Sequence, residues 1–244
     1  MTTAIVIPAR YESTRFPGKP LALISGKPMI EWVVKRAKEA KLAGRIIIAC
    51  DDDRIFNFVK ENLDVEVEMT SCDHTCGTDR IIEVLKKNSD IEYVVNFQGD
   101  EPLLPGAYAD ILIKSSLENK DAISTLITPI KDKKDLDNPN IAKVILDKDA
   151  YAICFSRSQI PYNRDSRSDF TYYKHIGIYG YSREVLLKFG ELPVSELETM
   201  EQLEQLRAIF NGIKIKTNVV EKAFQPVDLP GDVKLVENVL SLKN

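Results

Sequence analysis

Cysteine is sparse: four residues, at positions 50, 72, 76 and 154 of a 244-residue chain, are too few for a disulfide framework. Cys72, His74 and Cys76 approximate a zinc half-site, but no second ligand pair follows, and structural zinc takes four ligands. Histidine is scarcer still. With only His74 and His175, a Ser-His-Asp or Cys-His mechanism has few places to start, and neither residue adjoins a nucleophile elbow. No apolar run approaches the roughly 20 residues that span a bilayer, and no basic-then-apolar leader opens the chain, so a cytoplasmic protein is expected. A net charge of −4 argues against a nucleic-acid surface, because polyanion binders carry a basic face. Neither Gly-x4-Gly-Lys-[Ser/Thr] nor Gly-x-Gly-x-x-Gly occurs. Internal repeats, low-complexity segments and Gly/Ser linkers are lacking too.

What is present alternates. Strand-like segments at 3–8, 45–50, 65–69, 92–98 and 121–128 are separated by helix-like segments at 28–42, 52–62, 78–88 and 105–118. Pro28 suits a first helical turn, and Ile30, Val33, Val34 and Ala37 recur at helical spacing. Such alternation predicts an α/β fold around a mostly parallel, doubly wound sheet. The second half is richer in β structure. Residues 141–147, 151–155 and 172–181 read as an antiparallel extension, followed by helices at 197–210 and 232–241. In the first of those helices Met200, Leu203 and Phe210 form an inward stripe, with Glu204 at its edge and Gln205 pointing away. Residues 163–169 form a polar surface loop.

The apolar run Ala4-Ile5-Val6-Ile7 leads into residues 8–20, where Arg10, Arg15 and Lys19 share a loop shaped by two prolines and a glycine. Cations and free N–H groups at the carboxyl edge of a parallel sheet make a polyphosphate site; the alternative is a solvated basic loop. A local basic loop in an acidic protein suits a small phosphorylated substrate. At the end of the strand Tyr93-Val94-Val95 stands Asn96-Phe97-Gln98-Gly99-Asp100-Glu101-Pro102. Asp100 is placed to hold Mg²⁺ beside substrate phosphates, unless the segment is simply a turn. Gly99 then supplies backbone permissiveness and Gln98 a hydrogen-bonding group.

Six motifs occur in order: the opening loop; Asp73-His74-Thr75-Cys76-Gly77-Thr78; Asn96 to Pro102; Phe155-Ser156-Arg157-Ser158-Gln159-Ile160-Pro161; His175 to Tyr181; and Leu203-Glu204-Gln205-Leu206-Arg207. Together the chain resembles the 3-deoxy-manno-octulosonate cytidylyltransferase (CMP-Kdo synthetase) family, from about residue 4 to its end. The resemblance implies a Rossmann-like mixed sheet of the nucleotide-diphospho-sugar transferase type. It implies one nucleotidylyltransferase domain over 1–244, with a smaller sugar-binding and dimerisation lobe within about 129–181. The implied activity joins CTP and Kdo into CMP-Kdo and pyrophosphate for lipopolysaccharide biosynthesis, with Mg²⁺ as cofactor and a homodimer as assembly.

By the same resemblance, Arg10, Ser13 and Lys19 bind the triphosphate, Arg15 lies near the sugar acid, and Asp73, Cys76 and Gly77 surround the cytosine. Cys76 stands where the family's usual pattern has serine, which replaces a hydroxyl with a weak thiol donor. Asp100 and Asp228 match the metal-binding aspartates, and with Lys19 they form the catalytic set. Taken alone, Asp228 reads as a turn before Gly231-Asp232. Gln98, Arg157, His175, Tyr179, Glu204 and Gln205 fall in the sugar pocket. The guanidinium of Arg157 suits a carboxylate, although alone it reads as a surface ion-pair residue. Alone, His175 and Tyr179 read as structural residues and Gln205 as part of a solvated face. The 8-amino-3,8-dideoxy sugar, a sialic-acid-type substrate and a non-catalytic nucleotide- or sugar-acid-binding protein are the alternatives.

Overall fold

The computed structural model describes residues 2–165, 167 and 169–242; Ser166 and Ser168 of the expected surface loop lie outside the described residues. In chain order the first elements are β1 (Thr2–Ala9), β2 (Leu23–Ile24), β3 (Lys27–Pro28), α1 (Met29–Ala37), β4 (Arg45–Cys50), α2 (Asp53–Asn62), β5 (Glu66–Met69), α3 (Gly77–Lys87), β6 (Ile91–Asn96) and α4 (Gly106–Glu118). They continue with β7 (Ile123–Pro129), α5 (Lys133–Asp137), β8 (Lys143–Leu146), β9 (Ala152–Ser156), β10 (Tyr173–Ser182), α6 (Arg183–Gly190), α7 (Glu196–Glu201), α8 (Leu206–Phe210), β11 (Ile215–Val219) and α9 (Asp232–Ser241). The protein is α/β with a mostly parallel sheet, as the alternating segments predict.

The chain forms two compact units, residues 1–114 with 224–244, and residues 115–223. In the first, β6, β1, β4 and β5 lie side by side, all parallel. Central β1 is buried on both faces, with Ala4, Ile5, Val6 and Ile7 fully inaccessible. Each isoleucine removed from water contributes roughly 1.5–3 kcal/mol. Helix α1 buries Ile30, Val33, Val34 and Ala37, the stripe read from sequence, but ends at Ala37 rather than at residue 42. Helix α2 is capped by Asp52, whose side chain accepts from the Arg54 N–H. Helix α3 packs on β1, β4 and β6.

In the second unit β11 pairs with β7 in parallel, while β7–β10, β10–β8 and β8–β9 are antiparallel. The expected lobe at 129–181 falls within this unit. The helix expected over 197–210 is two short helices. Ser195 and Glu198 form a reciprocal capping box at the start of α7, and Gln202 then takes a left-handed conformation, φ 51°. The break ends the helical phase on which the inward stripe depended. Met200 is 83% and Phe210 61% exposed, whereas Gln205, expected on a solvated face, is buried.

Candidate active site

The loop after β1 and the ends of β4 and β6 meet at the carboxyl edge of the parallel sheet. A cleft of about 360 Å³ there is lined by Arg10, Ser13, Arg15, Lys19, Cys76, Gly77, Gln98 and Asp100 among the expected residues. Gly99 belongs there because of crowding: a Cβ at this position would sit 2.4 Å from the Pro8 carbonyl oxygen. Strand β6 can bring its Gln98–Asp100 turn this close to the end of β1 only without a side chain.

Lys19 links segments far apart in sequence. Its Nζ donates to Asp100 Oδ2 at 2.8 Å and to the Val227 carbonyl at 3.0 Å, and stands 3.9 Å from Asp228 Oδ1. Arg15 Nη2 meets the same Asp228 oxygen at 3.2 Å. The two carboxylates are therefore no farther apart than their distances to this one ammonium laid end to end. The Val227 N–H donates to the Asp100 carbonyl at 2.9 Å, which ties the late segment to the β6 turn. Beyond it Asp232 Oδ2 accepts from the N–H groups of Asp228 and Leu229, 2.9 and 2.8 Å, and sets the entry to α9.

Glu101 was not singled out in the sequence. Its Oε2 is buried with no hydrogen-bond partner among the described residues. Burial, followed by the nearby charges of Asp100 and Asp228, pushes its carboxyl up to about 8, against the opposing pull of Lys19. The signal was an acid placed directly before Pro102 and the apolar Leu103-Leu104. Arg80 also lines the cleft and was missed. Its signal was an arginine among apolar neighbours one turn into α3, with Asp51 waiting at the end of β4.

Around the expected cytosine segment, Cys76 is the N-cap residue of α3 and Gly77 its first residue. Asp73 is exposed and pairs with Ser71: its N–H donates to Ser71 Oγ at 3.1 Å. Asp73 does not line the cleft. His74 lines it, and its Nε2 lies 2.5 Å from Glu83 Oε2. Against the cost of burial, hydrogen bonds from Lys87, the Ser71 N–H and His74 hold Glu83 down at about 2. His74 thus has a carboxylate partner, and no cluster of three or more metal-ligating side chains occurs among the described residues.

Of the expected sugar-pocket residues, Gln98 belongs to the first unit, where its Nε2 donates to Asn96 Oδ1 at 3.2 Å. The others belong to the second unit. His175 on β10 bonds Thr125 Oγ1 at 2.9 Å and approaches Gln205 Nε2 at 3.5 Å. Phe155 lies edge-on at 5.0 Å and Tyr179 at 5.4 Å. Enclosure by these groups pushes the imidazole down to about 3, so the ring is neutral. Burial, followed by the Glu204 charge, raises the Tyr179 phenol well above its usual value. Arg157 donates through Nε, Nη1 and Nη2 to the carbonyls of Glu201, Pro139 and Gln202. Two of these are end carbonyls of α7, groups that lack a helical partner and attract cations. The sequence pattern of a fork-shaped cation does not foretell this use.

Comparison with known proteins accords with the geometry. The profile of the cytidylyltransferase family matches residues 4–215. A 3-deoxy-manno-octulosonate cytidylyltransferase of Thermodesulfovibrio yellowstonii is 46% identical, covering 99% of each chain. An 8-amino-3,8-dideoxy-manno-octulosonate cytidylyltransferase of Shewanella pealeana is 43% identical, over 99% of this chain and 100% of the other. The solved structure of CMP:2-keto-3-deoxy-manno-octonic acid synthetase complexed with CTP superposes with a TM-score of 0.95, at 37% identity and full coverage of both chains. With an opening cationic loop, an acid at the end of β6 and a second acid returned by the late chain, this protein is a cytidylyltransferase of the 3-deoxy-manno-octulosonate cytidylyltransferase family.

Proposed function

We propose that the protein transfers the cytidylyl group of CTP to Kdo, giving CMP-Kdo and pyrophosphate. The observation that carries this reading is the meeting of Lys19, Asp100 and Asp228 beside the cationic loop of one cleft. Arg10, Ser13 and Lys19 bind the triphosphate, and Arg15 supplies a cation near the sugar acid. Attack of the anomeric hydroxyl on the α-phosphorus forms the new P–O bond and gives up the hydroxyl proton to solvent, while the bond to the β-phosphate breaks and the leaving pyrophosphate takes its electron pair. Such a reaction depends mainly on alignment and charge neutralisation, so a catalytic imidazole is unnecessary. Lys19 stabilises the charge that accumulates on the departing group.

Asp100 and Asp228 are the residues that would hold Mg²⁺. The donor set fits: two carboxylates within reach of one ammonium supply the oxygen ligands that commonly join Mg²⁺ to substrate phosphates. Bound there, the ion would neutralise phosphate charge and lower the pKa of the sugar hydroxyl. Lys19 and Arg15 neutralise the same carboxylates in the free protein, and both side chains are long enough to turn toward phosphate.

The Shewanella relative favours a second reading, in which the acceptor is the 8-amino sugar. Pyrophosphate release with CTP and Mg²⁺, measured with each sugar separately, and the ratio of the two CMP-sugars formed in competition test both. Preference for Kdo supports the first reading, preference for the amino sugar the second, and release with neither rejects the proposal.

A further inference from the structure

The opening loop is held from below by a buried charge pair that lies outside it. Asp51 follows β4, and its Oδ2 accepts from Arg80 Nη2 at 2.6 Å. The pair is almost sealed, with side-chain exposures of 2% for Arg80 and 6% for Asp51. The other carboxylate oxygen, Oδ1, accepts from the Tyr11 N–H at 2.9 Å. Arg80 is oriented by bonds from Nη1 to Thr70 Oγ1 and the Ser71 carbonyl, 2.8 and 3.1 Å. Thr70 Oγ1 in turn donates to the Cys50 carbonyl at 2.9 Å. The network therefore ends on β4.

Tyr11 is the hub of the loop. Its carbonyl accepts from the N–H groups of Ser13 and Gly18, 3.1 and 2.9 Å. The Arg54 guanidinium stacks over its ring at 3.4 Å. Gly18 has φ 68° and packs so closely that a Cβ would lie 3.2 Å from the Tyr11 hydroxyl. Fixing the Tyr11 N–H thus fixes both ends of the segment that carries Ser13 and Arg15 and leads directly into Lys19.

We propose that Asp51 and Arg80 are positioning residues, which hold the loop in its nucleotide-binding form by anchoring the Tyr11 N–H to β4. The role attached to the loop rests on the reading of the cleft as the CTP site. A flexible loop carrying three cations would repel itself and lose ordering entropy on meeting a triphosphate; a loop anchored beforehand avoids that cost. Asp51 also reaches one of the loop's cations, its Oδ2 standing 4.0 Å from Arg10 Nε, while Arg80 neutralises the same oxygen from the buried side.

Removing Asp51 alone strands a buried guanidinium, so the decisive variant is Asp51→Ala with Arg80→Met, which deletes both charges. Backbone hydrogen exchange without nucleotide, and calorimetric titration with CTP, are the two readouts. The amides of Tyr11, Ser13 and Gly18 are expected to lose protection while those of β1 and β4 keep theirs. CTP affinity is expected to weaken on the order of tenfold, and Arg80→Lys, which keeps a cation for Asp51, to recover part of it. Unchanged loop protection overturns the proposal, and so does loosened exchange with unchanged CTP affinity. Loss of protection across β1 and β4 overturns it as well, since the pair would then support the strand layer rather than the loop. If the wild-type protein fails to bind CTP, the reading of the cleft falls, while the exchange data still decide the anchor.

Discussion

The ammonium of Lys19 neutralises two carboxylates separated by about half of the chain, so substitutions around it separate charge effects from packing. Asp100→Ala is expected to lower turnover at least about a hundredfold, comparable with loss of a strong electrostatic group. Steady-state pyrophosphate release on the folded variant measures it, and near-wild-type kinetics would remove Asp100 from the reaction. Lys19→Met leaves Asp100 and Asp228 without their shared cation. Weaker CTP use with an intact fold is the expected outcome, read from the CTP dependence of the rate. His175 provides a pH test. Its folded value near 3 lies below the ordinary 6.5, so the unfolded chain binds a proton that the folded chain refuses. Its contribution to stability is thus present above pH 6.5 and lost as pH falls toward 3. Glu101 runs the other way: raised to about 8, it favours the folded state at low pH and loses that contribution on passing upward from 4.5 to 8. The two oppose each other between pH 4.5 and 6.5, so bulk stability is a poor reporter. Imidazole NMR is the better one. With two histidines the spectrum is simple, and His175 is expected to stay neutral at pH 5.

Short elements owe their existence to their ends. The six-residue α7 is too brief to persist on intrinsic propensity, and the reciprocal Ser195–Glu198 box supplies two of its missing partners. Ser195→Ala should cost about 1 kcal/mol, visible as a lower thermal midpoint, and an unchanged midpoint would show that packing alone holds the helix. Close approach governs the other vulnerable element. Gly99→Ala drives a methyl into the Pro8 carbonyl and should spread the strand ends that frame the cleft. Reduced stability and reduced CTP affinity are expected together; a well-folded variant with normal affinity would show that the β6 turn yields freely. These elements also explain how legible the chain was. Residues 45–50 and 232–241 stand where apolar periodicity places them, because local pattern and packing agree there. The helix expected over 197–210 fails at Gln202, whose left-handed backbone no periodicity signals. Strand β11 and helices α5 and α6 were not anticipated, since Ile215–Val219 and the two short helices carry few residues in which to show a period.

Asp228 reaches Arg15 and Lys19 because the chain, after forming the unit of residues 115–223, returns to the first unit at Phe224. Val227, Val236 and Leu240 are buried in that return segment, so its anchorage is hydrophobic as well as polar. Truncation after Ala223 should abolish pyrophosphate release by removing Asp228 and the Val227 carbonyl from Lys19, and should lower the thermal midpoint of the first unit. Retained turnover would contradict the assignment of the second carboxylate. Composition, the order of apolar segments and the opening loop were enough to predict the α/β class, the strand-end location of Asp100 and a cationic loop suited to phosphate, because each is a property of residues close in the chain. The contact of Lys19 with the Val227 carbonyl, the anchor beneath Tyr11 and the carbonyl-bound state of Arg157 came from folding alone. They depend on distances between segments remote in sequence, and such distances are settled by which buried surfaces pack together, a quantity no local pattern records.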